Sequence, residues 1–255
     1  MNNPETTGTE LESYHKQAVP EREAAQRLYN SLEPWKAIVP PGPVLEIGAG
    51  TGNFTSYLTS LFTSRKLDIT DRHPESVEFL KRTFDGDNVT FFEFDVEHDQ
   101  PEPLYYSLIS ANHVAHQFRQ PAQTLEKLAE SLKVDGIMLA SFPGEDSLPE
   151  WRATCLELGI PFTGKAMPET EPLVIHLSMG PVQVDFYEDQ STFWFDSITQ
   201  FLNHQQNGGS DLEQETRKIT QKEATLLNEN WVNIKDGKIG VTYHNVFLAV
   251  KRISE

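Results

Sequence analysis

Apolar and polar positions along the chain follow two periods in turn, which predicts alternating strands and helices. Short apolar runs typical of buried parallel strands cover residues 44–47, 66–71, 89–94 and 105–110. Between them, apolar residues recur three and four positions apart and indicate helices around Leu58, Leu80 and Leu128. A turn at 135–136 then leads into a fifth strand over 137–142. This alternation predicts a doubly wound, mostly parallel α/β sheet.

The segments that flank this alternation follow other patterns. Residues 1–12 are polar and predicted to be a mobile tail, and residues 13–38 are predicted to be N-terminal helix. Residues 144–181 are rich in proline and glycine and are interpreted as an inserted cap with a helix over 148–158. Beyond the cap, the predicted elements are strands over 182–186 and 192–195, a helix over 198–204, a flexible break over 207–210 and a last strand over 239–250. Residues 13–255 are thus interpreted as one domain.

The composition excludes several classes of protein. The 255 residues carry a net charge of −17 at pH 7, which disfavours binding to nucleic acid or to anionic lipid. No apolar stretch approaches the roughly 20 residues of a membrane span, and residues 1–12 lack the apolar core of a secretory signal. The single cysteine, Cys155, excludes an internal disulfide and a multi-cysteine metal site. A cytoplasmic protein without a metal is therefore expected.

The most informative stretch is VLEIGAGTG, residues 44–52, where a predicted strand enters a glycine turn that opens a helix. Glycine lets the backbone approach a ligand closely. The spacing of Gly48, Gly50 and Gly52 is not that of the dinucleotide fingerprint. Glu46 precedes the turn, where a carboxylate would repel a pyrophosphate but suits an ammonium or sulfonium group. These features disfavour a nicotinamide-dependent oxidoreductase, which remains an alternative.

Two further acids follow the next two predicted strands. Asp71 ends the second strand, where a carboxylate can hold both hydroxyls of a ribose. Asp95 follows the third strand, and Val96 beside it is placed to cover an adenine ring. If the three strands are adjacent, Glu46, Asp71 and Asp95 line one edge of the sheet. A negative site without a phosphate-binding lysine fits S-adenosylmethionine, a cation with ribose and adenine but no phosphate.

The sequence resembles the class I S-adenosylmethionine-dependent methyltransferases over about residues 40–142. The resemblance rests on three motifs: VLEIGAGTG, ITDRHPESVEFLK and FEFDV. The resemblance implies a Rossmann-like doubly wound, mostly parallel sheet with an antiparallel last strand and a helical cap. The residues that it implies for the cofactor site are Glu46, Gly48, Ala49, Gly50, Gly52, Asp71, Arg72, Asp95, Val96 and Asn112.

The flanks resemble a narrower family, the malonyl-acyl-carrier-protein O-methyltransferases of biotin biosynthesis. The similar segments are residues 14–28, 147–150, 194–196 and 241–244. This resemblance implies methylation of the free carboxyl of a malonyl thioester on acyl carrier protein. It also implies that Tyr14 lies near the transferred methyl group and that Trp194 and Tyr243 lie near the substrate. Tyr14 is equally compatible with an ordinary position on an amphipathic helix, and Trp194 and Tyr243 with core packing.

A malonyl carboxylate requires a cation, yet residues 198–210 contain no lysine or arginine. Arg152, Arg217 and Lys218 are the candidates from elsewhere in the chain.

His113 and His116, after the fourth strand, are candidate general bases, or loop histidines without a chemical role. Their spacing also suits a metal, but no third ligand is evident. Two further alternatives stay open: a methyltransferase for another small acid or a hydroxyl compound, and a non-catalytic protein that binds S-adenosylmethionine.

Overall fold

The computed structural model describes residues 4–207 and 217–254. Its α-helices are α1 (Pro4–Gln17), α2 (Val19–Leu32), α3 (Thr55–Leu61), α4 (Pro74–Thr83), α5 (Pro121–Glu130), α6 (Pro149–Leu158), α7 (Thr170–Ser178), α8 (Ile198–Asn207) and α9 (Gln221–Glu229). Two short 3-10 helices cover Glu33–Trp35 and Ala115–Gln117. Across the described residues, no helix combines the length and hydrophobicity needed to cross a membrane.

The strands of the described chain form one sheet. They are β1 (Val44–Glu46), β2 (Leu67–Asp71), β3 (Val89–Glu93), β4 (Tyr106–Ala111), β5 (Leu132–Pro143), β6 (Val182–Phe195), β7 (Ile234–Lys235) and β8 (Lys238–Arg252). The order is β3-β2-β1-β4-β5-β8-β6, and β7 pairs with β8. Strands β1 to β5 are parallel, whereas β8 runs antiparallel to both β5 and β6. The predicted Rossmann-like fold with an antiparallel last strand is confirmed.

Helices cover both faces of the sheet. On one face, Leu125 of α5 and Leu173 of α7 share an apolar cluster with Ile109 of β4. On the other face, Leu28 of α2 and Leu80 of α4 pack in a second cluster with residues of β1 and β2. The central strands β1, β2 and β4 are buried at every position because both faces of the sheet are covered.

A third apolar cluster joins α6, α8 and α9 to the long strands β6 and β8. Trp151 of α6 meets Phe201 of α8, with ring centroids 5.3 Å apart. Residues 144–181 therefore do not form one cap. Helix α6 belongs to this cluster, whereas α7 packs with α5 against the main sheet.

Several boundaries differ from the sequence prediction. Helix α1 begins at Pro4, inside the segment expected to be a tail. The predicted turn at 135–136 lies within β5 instead of before it. There the strand is irregular: Asp135 adopts φ +65°, and the register against β4 shifts between Tyr106 and Leu108. Strand β6 is continuous where two strands were predicted, because it pairs with β8 along its whole length.

Two α-helices and one strand were not predicted: α7, α9 and the two-residue strand β7. The predicted break over 207–210 lies outside the described residues, except for the last residue of α8.

Candidate active site

The carboxyl ends of the parallel strands border an open cavity of about 120 Å³. The cavity lies where the strand order reverses, between β1 and β4, the usual ligand site of an open α/β sheet. Predicted site residues that line it are Tyr14, Glu46, Gly48, Ala49, Gly50, Asp71, Arg72, Asp95, Val96, Asn112 and His113. The structure thus brings together most of the side chains expected at the cofactor site.

The three glycines of the loop after β1 all have positive φ, but they serve different purposes. At Gly50 (φ +56°) an added Cβ would have no heavy atom within 4 Å, so the space over its backbone is open. At Gly52 (φ +84°) an added Cβ would lie 2.3 Å from the ring of Phe84. Gly52 does not line the cavity. Its missing side chain is explained by packing of the loop against α4.

Glu46 ends β1 and is only 1% exposed. The Thr55 hydroxyl donates a hydrogen bond of 2.7 Å to its Oε2 atom. Burial raises the pKa of Glu46 to about 8; the Thr55 bond opposes this rise, and the neighbouring Asp71 adds to it. At neutral pH most Glu46 side chains are therefore protonated, whereas the sequence suggested an ionised carboxylate.

The acids after β2 and β3 lie in different surroundings. Asp71 is 5% exposed and accepts hydrogen bonds from the backbone N–H groups of Gly50 (2.8 Å) and His73 (2.9 Å). Burial raises the pKa of Asp71 in spite of these bonds. Partial burial acts in the same direction on Asp95, but hydrogen bonds, chiefly from the His98 ring (2.8 Å), hold its pKa below the usual value. Asp95 is therefore the more permanent negative charge.

Helices α1 and α2 close the cavity opposite the glycine loop. The Tyr14 hydroxyl donates a 2.9 Å hydrogen bond to Glu21 Oε1, and the Tyr14 ring stacks on His204 with centroids 5.9 Å apart. Burial raises the pKa of Tyr14 well above its usual value, so the phenol stays neutral. His15 Nδ1 lies 2.9 Å from the Thr51 hydroxyl and ties α1 to the loop. Glu21 was not predicted as a site residue.

Asn112, at the end of β4, uses its amide to connect elements. Its Nδ2 donates to the backbone oxygen of Glu21 (3.1 Å), and its Oδ1 accepts from the Ser141 hydroxyl (3.0 Å). The same Ser141 oxygen accepts from the backbone N–H of His113, which has φ +56°. This network fixes α2 and the loop after β4 relative to the sheet.

A second, smaller cavity adjoins the first and shares Glu21 and His113 with it. Other residues that line it include His116, Lys165, His204, Gln205 and Tyr243. Several buried polar atoms around it have no hydrogen-bond partner in the described chain: Glu21 Oε2, His113 Nε2, His116 Nδ1, Lys165 Nζ and His204 Nδ1. Each such atom costs about 1–3 kcal/mol unless a ligand or water satisfies it. The concentration of these atoms indicates a site for a polar ligand.

The predicted histidines contact each other at the border of the two cavities. The rings of His113 and His116 are 5.2 Å apart. Burial lowers the pKa of both, and that of His116 lies well below 6.5, so both are neutral at neutral pH. In the described ranges, no group of three His, Cys, Asp or Glu side chains is arranged to hold a metal ion.

The two aromatic residues predicted at the substrate lie in different places. Tyr243 is 1% exposed, packs against Phe193 and receives a hydrogen bond from Gln205 in the second cavity. Trp194 is 40% exposed and lines neither cavity. Side chains alternate along β6, so Trp194 faces away from the cluster that buries Phe193 and Phe195.

The lysine that lines the second cavity lies at a position that the sequence did not indicate. None of Arg152, Arg217 and Lys218 lines either cavity. Arg152 lies over the Phe162 ring, and Arg217 pairs with Glu223. Lys165 does line the second cavity. It lies in the loop between α6 and α7, where neither a motif nor a periodic pattern marks it.

Comparison with known proteins decides the family. A family model described as a methyltransferase domain matches residues 16–169, more than half of the chain. The chain belongs to this methyltransferase family. Two relatives named malonyl-[acyl-carrier protein] O-methyltransferase match most of it. The protein from Halalkalibacterium halodurans is 24% identical over 221 residues, with 82% of each chain covered. The protein from Porphyromonas gingivalis is 26% identical over 212 residues, with 82% of this chain and 79% of the relative covered.

The fold of this methyltransferase also recurs among solved structures. YcgJ from Bacillus subtilis aligns with a TM-score of 0.59 at 17% identity, over 88% of this chain and 98% of YcgJ. The class I fold and the family imply S-adenosylmethionine as cofactor. The first cavity suits that molecule, because the Asp71 and Asp95 carboxylates flank it and Gly50 leaves space over the backbone. Asn53 Oδ1, a buried acceptor without a partner in the described chain, belongs to an Asn that lines the same cavity.

Proposed function

We propose that this methyltransferase transfers a methyl group from S-adenosylmethionine to a carboxylate oxygen. The proposed acceptor is the free carboxyl of a malonyl thioester on acyl carrier protein, a substrate of biotin biosynthesis. One observation carries the proposal: a second polar cavity, lined by Lys165, adjoins the first cavity and shares Glu21 and His113 with it. The names of the relatives from Halalkalibacterium halodurans and Porphyromonas gingivalis support the same acceptor.

The reaction requires alignment more than acid–base chemistry. When bound, S-adenosylmethionine supplies a methyl group on a positively charged sulfur. An acceptor oxygen forms the new O–CH₃ bond as the S–CH₃ bond breaks, and the bonding electron pair stays on sulfur. A carboxylate is already ionised at neutral pH, so no proton has to be removed. The side chains contribute by orienting the acceptor and excluding water.

Each part of the site has a proposed task. Asp71 holds the ribose hydroxyls, Asp95 accepts from the adenine amino group, and Val96 covers the adenine ring. Tyr14 lines the first cavity and stacks on His204 of the second. This position supports the proposal that methyl transfer takes place beside the Tyr14 hydroxyl, at the junction of the cavities. Tyr243 forms part of the acceptor site.

A hydroxyl acceptor is the second candidate, and one arrangement favours it. His113 Nδ1 lies 3.8 Å from Glu21 Oε1, and its Nε2 has no partner in the described chain. Burial keeps the pKa of His113 below its usual value, so the ring is neutral and able to accept a proton. His113→Asn would then abolish turnover of the hydroxyl compound, whereas methylation of a carboxylate does not depend on this base.

The test is a methyl-transfer assay read by mass spectrometry. Purified protein and S-adenosylmethionine are combined separately with malonyl-acyl carrier protein, malonyl-coenzyme A, malonate and a panel of hydroxyl compounds. We expect the malonyl group on the carrier protein to gain one methyl, and an Asp71→Ala variant to give no product. If S-adenosylmethionine binds but only hydroxyl compounds gain a methyl, the proposed acceptor is wrong. If S-adenosylmethionine does not bind, the proposed function as a whole is wrong.

We also propose that the enzyme is cytoplasmic and has no nucleic-acid or membrane partner. Its net charge of −17 disfavours binding to nucleic acid or to anionic lipid.

A further inference from the structure

We infer that Lys165 recognises the methyl acceptor, and that its ammonium group pairs with the acceptor carboxylate in the second cavity. The inference rests on the proposed function and deepens it, because it names the residue that selects a free acid.

Among the described residues, no carboxylate forms a close ion pair with the Lys165 ammonium group. Its Nζ atom is buried and has no hydrogen-bond partner in the described chain. The chain contains 38 Asp and Glu residues, so an acidic partner is not scarce in this protein. A buried cation is stable only when it is paired, hydrated or able to lose its proton. The cavity that Lys165 lines therefore suits an anion that arrives from outside the chain.

The charge state of Lys165 suits that task. Burial lowers its pKa to about 8; the positive charge of Arg72 adds to this effect, and Glu97 opposes it. The group is thus mainly protonated at pH 7, although its burial is unfavourable. An anion that enters the cavity compensates for the lost hydration and stabilises the protonated form.

The polar groups that line the second cavity differ in charge between the side near Glu21 and the side near Lys165 and His116. The Glu21 carboxylate repels an anion at its end, where its Oε1 atom is already engaged by the Tyr14 hydroxyl and lies 3.4 Å from His204 Nε2. At the other end, His116 is neutral at pH 7, and the charge of Lys165 contributes to its lowered pKa. The acceptor carboxylate is therefore expected beside Lys165 and His116, not beside Glu21. His113 lies between the two ends and is neutral as well.

Pairing with Lys165 also distinguishes substrate from product. The reaction converts a carboxylate into a methyl ester, which carries no charge. The ester leaves Lys165 without a partner and is expected to bind more weakly than the acid. The same residue would thus favour entry of the free acid and release of the ester.

Three variants test the inference. Lys165→Met keeps the length of the side chain but removes the charge, and Lys165→Arg restores the charge. Lys222→Met, at an exposed position of α9, is the matched control. The readouts are KM and kcat for malonyl-acyl carrier protein, together with binding of malonyl-pantetheine and its methyl ester to protein saturated with S-adenosylhomocysteine. Thermal melting and S-adenosylmethionine affinity check that each variant is folded.

We expect Lys165→Met to raise KM at least tenfold, to change kcat less than threefold and to weaken malonyl-pantetheine binding by the same factor as KM. Binding of the methyl ester stays the same, Lys165→Arg recovers most of the loss, and Lys222→Met behaves like the wild type. Wild-type affinity for malonyl-pantetheine falls above about pH 8, where Lys165 loses its proton. The affinity of Lys165→Arg does not fall in that range, since arginine stays charged.

The outcomes separate the inference from the proposed function. If the wild type methylates malonyl thioesters and Lys165→Met retains the same KM, the inference is wrong and the function stands. If the wild type methylates no carboxylate, the function is wrong and the binding data decide. Malonyl-pantetheine that binds the wild type but not Lys165→Met still supports Lys165 as an anion site. Equal binding to both proteins, or none to the wild type, overturns the inference.

Discussion

Replacement of Glu46 by Gln tests the electrostatics of the cofactor site in the protein alone. The wild-type carboxyl has a pKa of about 8 when folded, against 4.5 for an exposed glutamate. Because the folded state holds this proton more tightly, the contribution of Glu46 to stability is greatest below pH 4.5 and declines as pH rises toward 8. Glutamine has a similar shape, keeps an oxygen for the Thr55 hydroxyl and does not titrate.

The size of the effect follows from the two pKa values. One pKa unit corresponds to about 1.4 kcal/mol, so the wild type loses about 3–4 kcal/mol between pH 5 and pH 8 relative to Glu46→Gln. For a chain of this size, that difference corresponds to roughly 10 °C in melting temperature. Other groups titrate in both proteins and cancel when the two stability curves are subtracted.

The measurement is the free energy of unfolding in urea at pH 5, 6, 7 and 8 for both proteins without ligand. We expect the difference between the variant and the wild type to grow steadily with pH. Parallel curves over this range would mean that Glu46 is ionised throughout, and they would refute the reasoning from burial.

The same proton has a consequence for ligand binding. A cationic cofactor favours the ionised form of Glu46, so binding near pH 7 should release a proton from the protein. Calorimetry in two buffers of different ionisation enthalpy measures that release directly. Glu46→Gln should release fewer protons than the wild type, and an equal release from both proteins would assign the proton to another group.

Four more substitutions separate packing from binding and chemistry. Gly50→Ala should melt within a few degrees of the wild type yet lose most S-adenosylmethionine affinity, because its Cβ enters the open space where the ligand binds. Gly52→Ala should melt at least 5 °C lower than the wild type, because its Cβ meets Phe84. Calorimetry and thermal melts check both variants, and the reverse pattern would contradict the assignment. Trp194→Ala should leave KM and kcat within about twofold, since the residue lines neither cavity, and a tenfold rise in KM would return it to the substrate site. Tyr14→Phe should lower kcat at least tenfold with little change in cofactor affinity, and an unchanged kcat would place Tyr14 outside the chemistry. A plot of wild-type kcat against pH should show no loss of activity from Tyr14 below pH 10, because burial raises the pKa of its phenol.

The sequence predicted the cofactor side of the site better than the acceptor side, for a physical reason. Parallel strands buried on both faces leave plain apolar runs, and the polar residues Glu46, Asp71 and Asp95 stand where those runs end. Lys165 and His204, by contrast, come from a loop and from α8, and only tertiary folding brings them to one cavity. Contacts between residues that are far apart in the sequence leave no local sequence pattern from which they could be predicted.

One missed helix and one strand that was predicted as two illustrate different limits. Helix α9 begins with a capping box formed by Thr220 and Glu223, a signal that is visible in the sequence. The continuity of β6 was harder to predict, because the middle of the strand is largely exposed and its polar residues resemble a loop. Pairing with β8, which is distant in sequence, keeps that region extended.

The attachment of α1 has a kinetic consequence. This 14-residue helix supplies Leu11 and Tyr14 to the wall of the first cavity and touches the glycine loop through His15. Its other neighbours are mainly α4 and α8, so it docks on the surface of the fold instead of passing through the core. Local detachment of this one helix would widen the mouth of the open cavity, so we expect it to speed exchange of a bound ligand. Release of spent cofactor through such a local opening can set the turnover rate independently of the methyl-transfer step.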